Sequence, residues 1–215
     1  WFESSGRLSQ HTDRFLSPLT FQNFVQRLSR EAKIQATLDR PFADGQWGSF
    51  RVHLAIPPAS SQTVVTLRRH PANPWLLDEL ASRDWASPSA IEGLRSLLSA
   101  KKNILFVGCT GSGKTSVLNA CLQELRANER VVLIEDTSEL QTPNNVSTKL
   151  LTRRDSHGLL REVDQSELLR QSLRMRPDRI VMGEIRGTEA KDLLMAFATG
   201  HSGCMGTMHA ESARQ

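Results

Sequence analysis

The sequence predicts an α/β fold: a core built on a predominantly parallel sheet, preceded by a smaller N-terminal α/β domain. Three observations predict it. Short, almost wholly apolar runs at 103–107, 130–134 and 179–183 have the composition of strands buried on both faces. Stretches with helical spacing of apolar residues separate them, as in α/β proteins. One run leads directly into the glycine-rich octapeptide GCTGSGKT at 108–115, and a helix pattern follows it at 116–122.

Residues 19–38 carry apolar side chains at Phe21, Phe24, Val25, Leu28, Ala32 and Ile34, which is helical spacing. Pro41 ends that pattern, and Asp44-Gly45 reads as a turn. The run 49–56 alternates as a half-buried strand does, with Phe50, Val52, Leu54 and Ile56 on one face and Arg51 and His53 on the other. Pro57-Pro58 stops it. Residues 63–69 read as a second strand, joined to the first by a short hairpin-like connection. The segment 70–74 is punctuation, and 76–80 and 90–100 read as helices. These features put a domain boundary near Ser87-Pro88, giving an N-terminal domain at 1–87 and a core at 88–215. Within the core, the strand 130–134 runs into Glu135 and Asp136, and the strand 179–183 runs into Glu184. Parallel sheets bind ligands beyond the carboxyl ends of their strands, where these acids and the glycine-rich loop fall.

The chain has 215 residues, of which 39% are hydrophobic and 23% charged, the balance of a globular protein able to bury a core. No apolar stretch reaches membrane-spanning length. The chain begins at Trp1 rather than Met and is expected to be a piece of a longer protein. Cys109, Cys121 and Cys204 are too few and too scattered for a disulfide framework or a zinc site, which fits a reducing cytoplasm. The net charge of +4 and pI near 9.3 suit either nucleic acid or arginines gathered around a triphosphate.

GCTGSGKT is the P-loop pattern in its strand–turn–helix context. Gly108, Gly111 and Gly113 let the backbone turn tightly and bring N–H groups close to phosphate oxygens. The helix that follows points its N-terminal dipole at the same anion. Lys114 reaches the β- and γ-phosphates, the Thr115 hydroxyl is a Mg²⁺ ligand, and Thr110, Ser112 and Ser116 complete the cradle. ATP and Mg²⁺ are the expected ligand and cofactor. Hydrolysis also needs a carboxylate near the metal and a group that acts on water. The apolar strand ending in Gly183-Glu184 supplies one acid, with glycine where aspartate is common, so Glu184 is the second expected metal ligand.

Together these segments resemble the type II/type IV secretion and pilus ATPase family, most closely its type IV secretion and tight-adherence pilus subgroup. GCTGSGKT is the first of four core segments. VLIEDTSEL (132–140) resembles the acidic box, RIVMGEIRG (179–187) the Walker B segment, and TGHSGCMGTMHA (199–210) the histidine box. LRMRPDR (173–179) matches the lead-in to Walker B, while GSFRVHLAIPP and TVVTLRRH resemble two arginine-bearing strands of the N-terminal domain. The resemblance implies a RecA-like P-loop core that hydrolyses ATP. It makes Glu135 the general base, with Asp136 and Glu139 as further acids, Glu184 the carboxylate that holds Mg²⁺ directly or through water, and His209 the histidine that senses the γ-phosphate or relays subunit contacts, with His201 a weaker candidate. It makes Arg51, Arg68 and Arg69 arginines that close onto the phosphates. Arg154, Arg174, Arg176 and Arg186 are further arginines of the same region. It also implies a homo-oligomer, a hexameric ring at the cytoplasmic face of the inner membrane, acting on a membrane platform protein of a secretion or pilus machine. Family members continue past the histidine box, so the core is expected to be truncated at its C-terminal edge.

Two other classes fit a P-loop. A RecA-like motor on nucleic acid suits the basic pI, but the chain lacks the interleaved aromatic and basic residues of a strand-binding surface. A non-hydrolysing nucleotide-binding scaffold would lack an acid at Glu135.

Overall fold

The computed structural model describes residues 1–4, 7–69, 73–153, 160–187, 189–198 and 200–210. They form two units, Trp1–Arg69 and His70–Gln215. The division falls ahead of the expected boundary at 87/88, and the helix after residue 76 belongs to the second unit.

The first unit begins with an antiparallel pair of short strands, β1 (Phe2–Ser4) and β2 (Arg7–Ser9). Helix α1 (Pro18–Ala32) starts at a reciprocal cap. The Thr20 N–H donates to Ser17 Oγ at 3.2 Å, the Ser17 N–H donates to Thr20 Oγ1 at 3.0 Å, and Pro18 occupies the first turn. The helix ends six residues short of the expected 38, because Lys33 adopts a left-handed conformation and its N–H closes on the last turn. An antiparallel sheet follows, in the order β3 (Phe42–Trp47), β4 (Phe50–Ala55), β5 (Val64–Arg69). Asp44-Gly45 is not the expected turn. Both residues are strand, opposite His53 and Val52, and the chain reverses at Gly48-Ser49, where Gly48 has φ +55°. Gly45 is needed for a different reason. A Cβ there would lie 2.3 Å from Ile34 Cγ2, so glycine lets the end of α1 approach the strand. Leu28, Ala32 and Val52 form the buried core of this unit.

The second unit is a doubly wound layer structure. Helices α2 (Leu77–Ser82) and α3 (Pro88–Ser99) lead to β6 (Ile104–Gly108) and α4 (Lys114–Gln123). Then come β7 (Val131–Glu135), β8 (Thr148–Leu151), α5 (Gln165–Ser172), β9 (Arg179–Ile185), α6 (Glu189–Ala198) and β10 (Met205–His209). The five strands form one sheet in the order β6-β10-β9-β7-β8, with every pairing parallel. Alternate residues of each central strand feed separate cores. Leu133, Val181 and Met205 pack with Leu77, Leu80, Ile91 and Leu118 on the face covered by α2, α3 and α4. Val132, Ile134, Ile180 and Met182 pack with Leu168, Leu169 and Leu193 of α5 and α6. Both faces are dry, which is why these strands read as continuous apolar runs rather than alternating ones.

A buried cation joins the amino-terminal end of this sheet. Arg179, 3% exposed, donates from Nε to Glu129 Oε2 at 2.8 Å and from Nη2 to the Leu98 carbonyl at 2.8 Å. It therefore ties the first residue of β9 to the end of α3 and to the loop before β7. Glu129 has one further cation near it, Lys101 at 3.9 Å. Arg179→Ala is expected to lower the unfolding free energy by about 3 kcal/mol, since it strands a buried carboxylate. Urea unfolding checks this, and a loss below about 1 kcal/mol would overturn the reading of Arg179 as the joint.

Candidate active site

The carboxyl ends of β6, β10, β9 and β7 bring the chemistry together. β6 ends at Gly108 and the loop enters α4 at Lys114. The residue that caps α4 is Gly113, left-handed at φ 88°, which has no side chain to bond the helix's first N–H groups. A helix start left without a side-chain cap suits an anion. Lys114 Nζ donates to the loop's own carbonyls, Gly108 at 2.8 Å and Cys109 at 2.6 Å, and Ser112 Oγ donates to the Cys109 carbonyl. Thr115 and Ser116 are half-buried in the first turn of α4, while Thr110 and Gly111 lie exposed in the loop.

β10 lies between β6 and β9, and its register sets His209 opposite Gly108. His209 Nε2 lies 2.7 Å from Thr110 Oγ1 and Nδ1 lies 3.4 Å from Lys114 Nζ. The Lys114 ammonium has only donors, so Nδ1 accepts and Nε2–H donates to the Thr110 hydroxyl, which is one neutral tautomer. His201 precedes the other end of β10 and is not part of this cluster.

Glu184, at the end of β9, accepts from Arg186 Nη2 at 2.5 Å. Arg186 Nη1 also lies 3.9 Å from Asp136 Oδ2. The Arg186 hydrogen bond holds the Glu184 carboxyl below the usual range, and the Lys114 charge acts in the same direction. An ionised carboxylate and the Thr115 hydroxyl are hard oxygen donors of the kind Mg²⁺ takes beside phosphate oxygens and water. Among the described residues no cluster of three acidic, histidine or cysteine side chains could hold a metal alone.

Glu135, the last residue of β7, is 2% exposed. Its Oε1 accepts the N–H groups of Glu139 at 2.9 Å and Leu140 at 2.8 Å. Among the described residues its Oε2 has no hydrogen-bond partner, and it lies 3.6 Å from Lys149 Nζ. Burial pushes the Glu135 carboxyl up, and the two N–H groups and the Lys149 charge offset this only in part. Gly183 makes room for it. A Cβ at 183 would stand 2.9 Å from Glu135 Cγ, which explains glycine where aspartate is common. Asn119 of α4 ties the acidic loop to the P-loop helix. Its Nδ2 donates to the Glu139 carbonyl at 3.1 Å and its Oδ1 accepts the Gln141 N–H at 2.8 Å. Sequence reasoning missed Asn119 and Lys149. The available signal was polarity inside apolar patterns, an asparagine amid 116–122 and a lysine beside Leu150-Leu151.

The remaining arginines divide. In the first unit Arg51 stands directly opposite Arg68, so both lie on one face of that sheet. Arg69 stands opposite Phe50 and so lies on the other face. Arg174 and Arg176 are exposed ahead of β9. Arg154 lies outside the described residues.

Residues 25–215 match the family described as type II/IV secretion system protein. The chain is similar to type IV secretion system protein PtlH of Bordetella pertussis, 38% identical over 190 residues, 77% of this chain and 56% of that protein. It is similar to conjugal transfer protein TrbB of Rhizobium radiobacter, 31% identical over 203 residues, 92% of this chain and 61% of that protein. Among solved structures, the VirB11 ATPase of the Brucella suis type IV secretion system, in complex with sulphate, aligns at TM-score 0.52 and 25% identity. That alignment covers 93% of this chain and 65% of that one. The chain spans about three fifths of the length of the curated relatives it matches.

The state of Glu135 has a consequence for stability. Its folded-state pKa lies above its unfolded value, so the folded protein holds the extra proton. Stability from this group is fully present below the ordinary carboxylate range and is lost as pH rises through the raised value. Glu135→Gln removes that dependence. The stability of the variant minus that of the wild type is expected to grow as pH rises through this window and then stay constant. Thermal unfolding at several pH values from about 4 to 8 reads it, and a constant difference would mean that Glu135 is not perturbed.

Proposed function

This chain belongs to the type II/IV secretion system protein family, and we propose that it hydrolyses ATP with Mg²⁺ to drive a type IV secretion or pilus machine. The observation that carries the reading is the convergence of Lys114, His209, Glu184 and Glu135 at the carboxyl ends of β6, β10, β9 and β7 around an uncapped helix start.

Each residue has a role in that reaction. Lys114 exchanges the Gly108 and Cys109 carbonyls for phosphate oxygens, and the first N–H groups of α4 bind the same anion. Thr115 and Glu184 would hold Mg²⁺, which neutralises charge on the β- and γ-phosphates when bound. Glu184, bonded to Arg186 in this structure, would have to exchange that bond to serve as a metal ligand. Glu135 takes a proton from the attacking water. Its Oε2, which accepts no hydrogen bond, is the atom for that task. His209, bonded to Thr110 and close to Lys114, moves with either of them and so reports γ-phosphate occupancy to β10. Arg51 and Arg68 close on the triphosphate, from the same subunit or a neighbour in a homo-oligomeric ring.

The wider role rests on the relatives, which are named for type IV secretion and conjugal transfer. We propose a hexamer on the cytoplasmic face of the inner membrane, acting on a platform protein there. No helix among the described residues is long and apolar enough to cross a membrane.

Lys114→Ala is expected to reduce ATP turnover by at least about a hundredfold, because the ammonium stabilises charge on the transferred phosphoryl group. Phosphate release by the purified protein measures it, and wild-type turnover would overturn the assignment.

The arginines separate by face. Arg51→Ala and Arg68→Ala are each expected to cost about 2 kcal/mol, roughly thirtyfold in turnover, with a much smaller loss of ADP affinity. Arg69→Ala, on the opposite face, is expected to cost less. Steady-state kinetics with ADP titration reads both quantities. Equal losses of ATP and ADP affinity would reduce the pair to ordinary ground-state binding.

A further inference from the structure

We propose that Lys149 is a positioning residue for hydrolysis: it seats the acidic loop 136–140 and holds the Glu135 carboxylate ready for water. The proposal rests on the reading of Glu135 as the group that acts on water.

The register of the sheet makes the contact. β8 pairs with β7 so that Lys149 stands opposite Leu133, two residues before Glu135. Side chains two apart on a strand share a face, so Lys149 reaches along the sheet toward Glu135. Its ammonium has three donors and meets three oxygens of one short segment. Nζ donates to Ser138 Oγ at 2.7 Å and to the Leu140 carbonyl, and stands 3.6 Å from Glu135 Oε2. The same segment returns two N–H groups to Glu135 Oε1. One cation thus organises the loop that orients Oε1 and lies beside Oε2 without donating a hydrogen bond to it, so that oxygen keeps its acceptor capacity.

The charges around Glu135 leave that work to Lys149. Glu139, in the acidic loop, opposes ionisation of Glu135 and Lys149 favours it. Gly183 of β9 touches Glu135 but brings no charge, and the neighbouring Glu184 is bonded to Arg186. Asn119 of α4 bonds the loop backbone, and its amide carries no charge. The N–H groups of Glu139 and Leu140 pull this buried carboxyl toward the charged form that a general base needs, and Lys149 is the charged group that pulls the same way.

The test compares wild type, Lys149→Met, Lys149→Arg and Glu135→Gln for MgATP affinity and for kcat across pH. Lys149→Met is expected to bind MgATP within about twofold of wild type. Its kcat should fall on the order of tenfold near neutral pH, with the acid limb of the profile moved to higher pH. Lys149→Arg, which keeps the charge, should return the limb toward its wild-type position. A uniform fall in kcat with the limb unmoved, or no fall at all, overturns the proposal.

A second measurement stands even if Lys149→Met weakens the fold. Adding it to Glu135→Gln should cost no further kcat for bound substrate if Lys149 acts through Glu135, and a full additive loss counts against the proposal. Wild-type kcat in Glu135→Gln alone would overturn the reading of Glu135 itself, and is distinguishable because it does not involve Lys149.

Discussion

The pairing of β10 with β6 on one side and β9 on the other is the constraint on which the site depends. A strand threaded there must be thin and free of charge until its last residue, and Met205-Gly206-Thr207-Met208 meets that condition. The Thr207 hydroxyl satisfies itself on the Gly183 carbonyl at 2.5 Å. Because all pairings are parallel, the carboxyl ends of β6, β10, β9 and β7 lie along one edge of the sheet. The loop 108–115, His209, Glu184 and Glu135 are therefore neighbours by topology, although they are spread over about half the sequence. The second unit is a RecA-like core in this sense.

The two ends of that sheet use charge in opposite ways. At the amino-terminal end Arg179 and Glu129 are buried together, bonded to each other and to carbonyls, and serve as a fixed joint. At the carboxyl end the partners are provisional. Lys114 rests on carbonyls of its own loop, and Glu184 rests on Arg186. In the proposed reaction each of these bonds would give way to nucleotide or metal. A buried charge with fixed partners favours one structure, whereas a charge with exchangeable partners favours a change of state.

The parallel core was legible because its strands are dry on both faces, so 103–107, 130–134 and 179–183 need no periodicity to be recognised. The glycine-rich turn between β6 and α4 was legible because its spacing is tied to backbone geometry. The first unit was harder. Asp44-Gly45 has the local chemistry of a turn, but the close approach of Ile34 requires glycine inside a strand there, and the reversal moved to Gly48. That Arg69 faces away from Arg51 and Arg68 depends on pairing register, which the hairpin fixes and composition does not. Strands β8 and β10 escaped notice because polar and glycine residues interrupt them. Lys149 and Asn119 belong to no motif, and their importance arises from what lies across the sheet.

Gly183 and Glu135 also constrain how this sequence can change. The 2.9 Å that separates Glu135 Cγ from the Cβ that position 183 lacks means the two residues occupy one shared volume. Aspartate at 183 and glutamate at 135 in its present rotamer are mutually exclusive. A lineage moving between the two solutions has to pass through a smaller residue at one position or a turned side chain at the other. The pair is thus an epistatic lock, in which the effect of a substitution at 183 is decided by what stands at 135.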